Sequence, residues 1–314
     1  MVALLFPGQG SQAVGMGRDL AEAFPAARAA FEEADAALGV PLSRIMWEGP
    51  AEELTLTHNA QPALLTHSVA AFRVTAEALG DVRFAAGHSL GEFSAYVAAG
   101  TLDFADAVRA VRRRGELMLS SGEDRPGTMA ALVGLDDEGV EAVCREASDG
   151  GGVCVAANFN APGQVVISGD VPTVQRAMDL AKDAGAKRAI RLNVSGAFHS
   201  PLMAVAEAGL HAVLDSVELR DPRVPVVSNV TAAPVTRAAD ARRLLVEQLT
   251  SPVRWAASMR AIREAGVERF IELGPGSVLT GLLRRIDRAA SCDTVGTAEE
   301  VRSRLDEARR GAER

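Results

Sequence analysis

Residues 87–91, Gly-His-Ser-Leu-Gly, constrain the fold of this chain more than any other segment. An apolar run at 82–86 precedes them, and a helix-like run at 92–99 follows. This context predicts a strand that turns abruptly into a helix at Ser89, where the flanking glycines let the backbone close up. The start of a helix also favours developing negative charge. A serine beside glycine can be only a turn or a helix cap, but the strand and helix around Ser89 favour a nucleophile.

Strands and helices alternate along the first part of the chain, which predicts a parallel sheet covered by helices. The first strand runs from Val2 to Phe6, and the segment before Ser89 supplies another. Predicted helices cover about residues 19–38, 61–79 (with Pro62 near its first turn) and 104–120. The pattern resumes after residue 200, with helices predicted at 201–216, 239–249 and 278–286, strands at 224–228 and 267–273, and a charged helix at the end.

The order of elements changes after Gly122. From Thr128 to Val194 the patterns run strand, helix, strand, strand, helix, strand, which is the order of a ferredoxin-like unit. We therefore predict an α/β fold in which residues 1–122 and 199–314 form a large body with a parallel sheet. Residues 123–198 are predicted to form an inserted ferredoxin-like small subdomain.

Charge and cysteine usage exclude several classes of function. The net charge is −8 and the arginines are scattered, which argues against nucleic acid as a partner. Three cysteines, an odd number without metal-type spacing, predict no disulfide framework, no zinc site and a reducing, cytoplasmic location. No apolar run approaches the length needed to cross a bilayer, so we expect no membrane association.

A nucleophilic serine needs a base. His199 is the best candidate, because it follows the last strand of the predicted subdomain, at a seam where clefts form. A hydrogen-bonded structural histidine is the alternative for His199. His88 adjoins Ser89, but neighbours at a sharp turn point apart. The remaining histidines, His58, His67 and His211, have no companion motif and are interpreted as structural.

Arg114 shares the apolar stripe of its predicted helix, which contains Ala107, Val108, Val111, Gly115 and Met118. A guanidinium on a buried face keeps its charge and needs an anionic partner. The partner can be a structural carboxylate or a substrate carboxylate bound in bidentate fashion. The sequence leaves both open.

Gln9 lies in the loop after the first strand, and Leu90 follows the candidate nucleophile. In a parallel sheet both positions lie at the carboxyl ends of strands, where such sheets bind ligands. The backbone N–H groups of Gln9 and Leu90 could therefore form an oxyanion hole. The alternative for Gln9 is an ordinary glycine-rich turn.

Eight short motifs occur in a fixed order over nearly the whole chain. They are FPGQGSQ (6–12), QPA (61–63), GHSLGE (87–92), RG (114–115), NAPGQ (160–164), GAFHS (196–200), EQL followed by PV (247–253) and ELGPG (272–276). The ordered set resembles the malonyl-CoA:acyl carrier protein transacylase family and the related acyltransferase domains of polyketide synthases. The resemblance implies an α/β-hydrolase-like body with a ferredoxin-like insert.

The resemblance also implies roles for the residues named above. Ser89 would be the acyl-accepting nucleophile, His199 its base, and Arg114 the group that binds the free carboxylate of a malonyl group. The backbone N–H groups of Gln9 and Leu90 would form the oxyanion hole.

Two further roles follow from the resemblance. The backbone carbonyl of Gln248 would hold the ring of His199, so that no third carboxylate is needed. The ring of Phe198 would crowd an α-methyl branch and select malonyl over methylmalonyl groups, a preference worth roughly 1–3 kcal/mol.

The implied reaction is transfer of malonyl from malonyl-CoA to the phosphopantetheine thiol of an acyl carrier protein, through a malonyl-serine intermediate with ping-pong kinetics. It would serve fatty acid or polyketide synthesis, in a monomer that needs no metal and no cofactor of its own. Carrier proteins are acidic, so docking would need a local basic patch. The candidates for it are Arg188, Arg191, Arg284 and Arg285.

Two alternatives remain open from the sequence. A thioesterase-type serine hydrolase of related fold would use the same nucleophile, although such enzymes normally place an acid between serine and histidine in the chain. A non-enzymatic scaffold subunit is the other, and the intact set of Ser89, His199 and Arg114 argues against it.

Overall fold

The computed structural model describes residues 1–312 of the 314-residue chain. The strands are β1 Val2–Phe6, β2 Val82–Gly87, β3 Gly127–Val133, β4 Cys154–Ala161, β5 Gln164–Asp170, β6 Arg188–Arg191, β7 Val226–Val227, β8 Pro234–Val235, β9 Arg269–Leu273 and β10 Ser291–Val295. The helices are α1 Arg18–Ala23, α2 Pro25–Leu38, α3 Leu42–Glu48, α4 Ala51–Thr55, α5 Thr57–Thr75, α6 Gly91–Ala98, α7 Phe104–Asp124, α8 Asp137–Ser148, α9 Val171–Asp183, α10 Ala204–Asp215, α11 Ala238–Glu247, α12 Trp255–Glu264, α13 Val278–Ile286 and α14 Ala298–Ala312.

A six-stranded sheet forms the centre of the larger part. Its order is β10-β9-β1-β2-β7-β8, and each neighbouring pair is parallel except β7 with β8. Because β1 and β2 are parallel neighbours, the loop after Phe6 and the turn after Gly87 lie at the same edge of the sheet.

The side chains of β1 alternate between two hydrophobic clusters, one on each face of this sheet. Leu4 and Phe6 belong to the cluster that includes side chains of α2, α5 and α7, whereas Ala3 and Leu5 belong to the cluster with α12 and α13. Burial on both faces explains why the first strand is a continuous apolar run rather than an alternating one.

A four-stranded antiparallel sheet of order β4-β5-β3-β6 forms the smaller part, with α8 and α9 packed against it. Its strands and helices follow the predicted β-α-β-β-α-β order, and the predicted fold class is confirmed. The subdomain boundaries stay a prediction: the strands of the small sheet span 127–191, inside the predicted 123–198. The predicted end of the large subdomain at residue 314 lies outside the described residues.

The helix predicted to start near Pro62 begins earlier, at Thr57, and Pro62 lies inside it. A proline has no N–H, so the carbonyl of His58, one turn earlier, loses its helical partner. Arg112 of α7 donates from its guanidinium to that carbonyl at 3.3 Å. The neighbouring helix thus satisfies the carbonyl and lets α5 continue through the proline.

The helix predicted over 19–38 is divided into α1 and α2 at Phe24, which has an extended backbone (φ −132°). Pro25 disfavours the helical conformation at the residue before it.

The strands predicted at 188–194 and 224–228 are shorter in the structure. Only residues 188–191 (β6) and 226–227 (β7) are paired with a neighbouring strand. Helices α3, α4 and α12 and strands β8 and β10 have no counterpart among the predicted elements. Within residues 1–312, no helix is both long and apolar enough to cross a membrane.

Candidate active site

Ser89 lies at the turn between β2 and α6 with a left-handed backbone conformation (φ 51°). A Cβ on Gly87 would lie 1.9 Å from backbone atoms of Gly91, and a Cβ on Gly91 would lie 2.1 Å from the carbonyl oxygen of Phe6. Only glycine fits at these two positions, so the strand and the helix can approach closely enough to form the sharp turn. The N–H of Ser89 donates to Oδ1 of Asn229 at 2.7 Å, which stabilises the strained residue.

His199 is buried, with 4% of its surface exposed, and its Nε2 lies 2.7 Å from Oγ of Ser89. Its Nδ1 donates to the backbone carbonyl of Gln248 at 2.9 Å. A carbonyl only accepts hydrogen bonds, so Nδ1 carries the proton and Nε2 is free to accept one from the serine. Burial, reinforced by the nearby charge of Arg114, lowers the pKa of His199 to about 3. The imidazole is therefore neutral at physiological pH.

Arg114 is 1% exposed and also contacts Ser89. Its guanidinium donates to Oγ of Ser89 at 3.1 Å, to Oε1 of Gln248 at 2.9 Å and to Oε1 of Gln61 at 2.7 Å. It forms no salt bridge with any carboxylate in the described part of the chain, so the structural ion pair left open by the sequence is absent. Burial lowers the pKa of Arg114 to about 10, and the group stays charged at neutral pH.

Gln248 connects these three groups. Besides the backbone bond to His199, its side-chain Nε2 donates to the carbonyl of Ser89 at 3.1 Å and to Oε2 of Glu92 at 2.7 Å. Its Oε1 accepts from Arg114. One side chain at the end of α11 therefore contacts Ser89, Arg114 and the buried carboxyl group of Glu92.

Glu92 and Asn229 complete this network, although no role was predicted for either from the sequence. Glu92 is fully buried, and its Oε2 also accepts from the backbone N–H of Asn229 at 3.1 Å. Burial raises the pKa of Glu92 to about 7, although the hydrogen bonds from Asn229 and Gln248 oppose the rise. The single charged side chain in the apolar helix 91–98 was a usable signal for Glu92. Asn229 offered none, since its role depends on contacts with Ser89 and Gly87.

The candidate oxyanion-hole residues, Gln9 and Leu90, both line the cavity next to Ser89. Among the described residues, no acceptor is hydrogen-bonded to the backbone N–H of either one. The side-chain amide of Gln9 donates to Oγ1 of Thr57 at 3.1 Å, which holds the loop after β1 against α5. Their role as oxyanion donors stays a prediction.

A cavity of about 400 Å³ opens over Ser89, His199 and Arg114. The six-stranded sheet contributes the loop after β1 and the turn at Ser89, and the four-stranded sheet contributes Met129 and Val166. The seam between the two sheets is thus where the cavity lies, as expected for His199. Phe198, 5% exposed, lines the same cavity.

The remaining candidates lie elsewhere. Nε2 of His88 lies 2.7 Å from Oδ1 of Asn160, so its ring is engaged with the small sheet rather than with Ser89. His67 is hydrogen-bonded to the carbonyl of Gly296, and His211 forms an exposed pair with Asp215. The basic residues predicted for carrier docking are all exposed: Arg188 and Arg191 lie on β6, and Arg284 and Arg285 lie in the last turn of α13.

No cluster of three or more His, Cys, Asp or Glu side chains in residues 1–312 has the arrangement of a metal site. The three cysteines are free. That the protein needs no cofactor stays a prediction.

The chain is similar to known proteins over nearly its full length. Residues 3–310 match the family model described as acyl transferase domain. Among curated relatives, the Malonyl CoA-acyl carrier protein transacylase of Bacillus subtilis (strain 168) is 49% identical over 300 residues, covering 96% of this chain and 95% of the relative. The protein of the same name from Escherichia coli (strain K12) is 48% identical over 285 residues, covering 90% and 92%.

The chain is also similar to solved structures over nearly its full length. The acyl-carrier-protein-S-malonyltransferase of Bartonella henselae superposes with a TM-score of 0.93 at 46% identity, covering 98% of this chain and 99% of that one. A malonyl-transacylase in complex with its type II PKS acyl-carrier protein superposes with a TM-score of 0.94 at 44% identity, with the same coverage.

Proposed function

The chain belongs to the acyl transferase domain family, and from this premise we propose that it transfers a malonyl group from malonyl-CoA to the phosphopantetheine thiol of an acyl carrier protein. The relatives reported above are named as transacylases, which favours transfer over the alternative of hydrolysis. The complex with a PKS carrier protein supports an acyl carrier protein as the acceptor.

One observation carries the assignment of residues to this reaction. The hydroxyl of Ser89 lies within hydrogen-bond distance of a neutral imidazole nitrogen of His199 and of the buried cation of Arg114 at the same time. A carboxylate on the acyl group, one substrate length from the reacting carbonyl, would reach this cation. The arrangement therefore suits an acyl group with a free carboxylate, which malonyl is.

In the first half-reaction, Oγ of Ser89 attacks the thioester carbonyl of malonyl-CoA while Nε2 of His199 accepts the serine proton. The oxyanion would be stabilised by the N–H groups of Gln9 and Leu90. The C–S bond then breaks, the thiolate of CoA takes a proton from His199, and malonyl remains as an ester on Ser89.

In the second half-reaction, the phosphopantetheine thiol of the carrier protein enters the cavity. His199 accepts the proton of this thiol, and the sulfur attacks the malonyl ester. The C–O bond breaks, Ser89 recovers its proton from His199, and malonyl leaves on the carrier. The backbone carbonyl of Gln248 keeps the imidazole in the tautomer that both steps need.

The direct test is to incubate the protein with malonyl-CoA with and without a holo carrier protein. We expect a malonyl adduct on Ser89 by intact mass, and malonyl-carrier as the product when the carrier is present. The protein with Ser89→Ala is the control and should form neither. Free malonate released at the same rate with and without the carrier would refute transfer and favour the thioesterase-type alternative.

We also propose that Arg188, Arg191, Arg284 and Arg285 contribute to carrier docking. Each pair lies on an element that continues into the cavity wall, at Leu192 and Leu282 respectively. Replacing each pair by glutamate should raise KM for the holo carrier and leave formation of the malonyl adduct from malonyl-CoA unchanged. Equal effects on both half-reactions would contradict docking. A monomeric state and a cytoplasmic location remain predictions.

A further inference from the structure

Glu92 is a buried carboxyl group with no role in the reaction described above. It lies one helical turn after Ser89, on α6, and it is fully excluded from solvent. Burying a carboxyl group without a cation or a full set of hydrogen bonds costs free energy. Its Oε1 has no hydrogen-bond partner in the described part of the chain, and it forms no salt bridge there. Packing alone would be served better by an apolar side chain.

The other carboxyl oxygen explains what this residue does. Oε2 accepts from Nε2 of Gln248 at 2.7 Å and from the backbone N–H of Asn229 at 3.1 Å. It therefore joins the end of α11 to the segment after β7. Both partners also contact the backbone of Ser89. The side-chain Nε2 of Gln248 donates to the carbonyl of Ser89, and Oδ1 of Asn229 accepts from the N–H of Ser89.

The side-chain amide of Gln248 can be oriented in two ways, and Glu92 is one of the three groups that distinguish them. In the observed orientation Nε2 faces two acceptors, Glu92 and the carbonyl of Ser89, while Oε1 faces the donor Arg114. In the opposite orientation, Oε1 would face the two acceptors and the NH₂ group would face the guanidinium. Every one of these contacts would then pair donor with donor or acceptor with acceptor.

We propose that Glu92 is a positioning residue that holds the amide of Gln248 with its oxygen toward Arg114, and thereby fixes the guanidinium for the carboxylate of the acyl group. The inference deepens the function proposed above and rests on it. Without the acceptor on Glu92, the amide keeps only the carbonyl of Ser89 and Arg114 as partners, so it is held less firmly and the guanidinium is less well fixed beside Oγ of Ser89. A malonyl group would lose binding as a result, whereas an acetyl group has no carboxylate for the guanidinium to bind.

The test compares acylation of Ser89 by malonyl-CoA and by acetyl-CoA, followed by intact mass at several donor concentrations. Glu92→Leu removes both acceptor oxygens, and Glu92→Gln keeps one at the position of Oε2. We expect Glu92→Leu to lower the malonyl-to-acetyl ratio of kcat/KM at least about tenfold, mainly through KM for malonyl-CoA, as the loss of a hydrogen bond that supports a charged group would do. Glu92→Gln should keep this ratio within about threefold, whatever its absolute rate.

Glu247→Gln is the matched control, because this glutamate is adjacent to Gln248 in the chain but exposed and paired with Arg243. It should leave the ratio unchanged. If Glu92→Leu lowers both acylation rates by the same factor, Glu92 only supports the fold and the inference is wrong. The inference is equally wrong if Glu92→Gln lowers the ratio as much as Glu92→Leu does, since the charge and not the acceptor would then matter.

If Glu92→Leu does not fold by circular dichroism, Glu92→Asp replaces it, because a shorter side chain withdraws the acceptor from Gln248 while keeping the charge. A lowered ratio in Glu92→Asp supports the inference, and an unchanged ratio overturns it. Measurements on the unsubstituted protein test the proposed function separately from the role of Glu92. A malonyl adduct with transfer to the carrier upholds the function even if the ratio does not change, whereas the absence of any malonyl adduct removes both.

Discussion

Nε2 of His199 lies 2.7 Å from Oγ of Ser89, and both residues adopt a left-handed backbone conformation, with φ angles of 57° and 51°. Non-glycine residues hold this conformation only where the surroundings impose it. At Ser89 the close approach of Gly87 and Gly91 imposes it. The hydrogen bond from His199 to Gln248 then fixes the ring. The pair is therefore aligned by two separate elements before any substrate binds.

Replacing Ser89 should abolish formation of the covalent adduct, whereas replacing His199 should slow it. Ser89→Ala should abolish the malonyl adduct, because it removes the hydroxyl that lies 2.7 Å from Nε2 of His199. His199→Ala should slow its formation by about 10³-fold or more, since the serine keeps its proton. Quenched-flow intact mass with malonyl-CoA measures both. An adduct of unchanged rate in His199→Ala would show that another group acts as the base.

Replacing Arg114 should change the choice of acyl group. In Arg114→Ala the malonyl carboxylate loses its cation, so malonyl transfer should fall by about 10²-fold or more, while acetyl transfer should rise relative to it. Competition between malonyl-CoA and acetyl-CoA, read by intact mass, gives the ratio. Arg113→Ala is the control, because Arg113 lies on the same helix but is half exposed. Equal losses for both acyl groups in Arg114→Ala would rule out a carboxylate-binding role.

A smaller residue at position 198 should admit branched acyl groups. Phe198 lines the cavity and is buried, so Phe198→Ser should make room for an α-methyl branch. The discrimination against methylmalonyl-CoA should fall by roughly 10-fold to 100-fold, as expected for one methyl group in such a pocket. The ratio of kcat/KM for the two donors measures it. The role of Phe198 in selectivity would be disproved by an unchanged ratio in a folded variant.

The acylation rate should be insensitive to mild acid. In the proposed reaction the neutral imidazole of His199 is the base, and burial with the charge of Arg114 lowers the pKa of His199 to about 3. Protonation would thus inactivate it only near that pH. With acetyl-CoA as donor, the rate should change less than about threefold between pH 8 and pH 5, whereas a histidine of ordinary pKa would lose roughly 30-fold. A decline centred near pH 6.5 would contradict this.

Glu92 should make the protein less stable as the pH rises. Its pKa is 4.5 when unfolded and is raised to about 7 by burial in the native state, so the native state binds the proton more tightly between these values. The protonated group contributes up to ~3 kcal/mol to the free energy of unfolding below pH 4.5, and this contribution is lost as the pH rises through about 7. In urea unfolding between pH 5 and pH 8, the free energy of unfolding of Glu92→Gln should increase relative to that of the unsubstituted protein as the pH rises. A constant difference would mean that Glu92 does not titrate there.

Much of the fold could be predicted from local patterns. Apolar runs predicted β1, β2 and the ferredoxin-like order, and the glycines around Ser89 predicted the sharp turn. The predicted elements that differ from the structure do so because of contacts with neighbouring helices and strands. Pro62 stays inside α5 because Arg112, from another helix, satisfies the carbonyl that the proline leaves free. Strand β10 is short and weakly patterned, and it exists because β9 offers it an edge.

The sequence by itself determined the sharp turn at Ser89, the order of strands and helices, and a cation on a buried helix face, because each depends on residues within a few positions of one another. Only the tertiary structure decided that His199 reaches Ser89 from 110 residues away, that Gln248 reaches Ser89 from 159 residues away, and that Glu92 and Asn229 join the same network. Contacts at such separations leave no periodicity in the chain. They arise when segments distant in the chain pack together and bury polar groups that must find hydrogen-bond partners there.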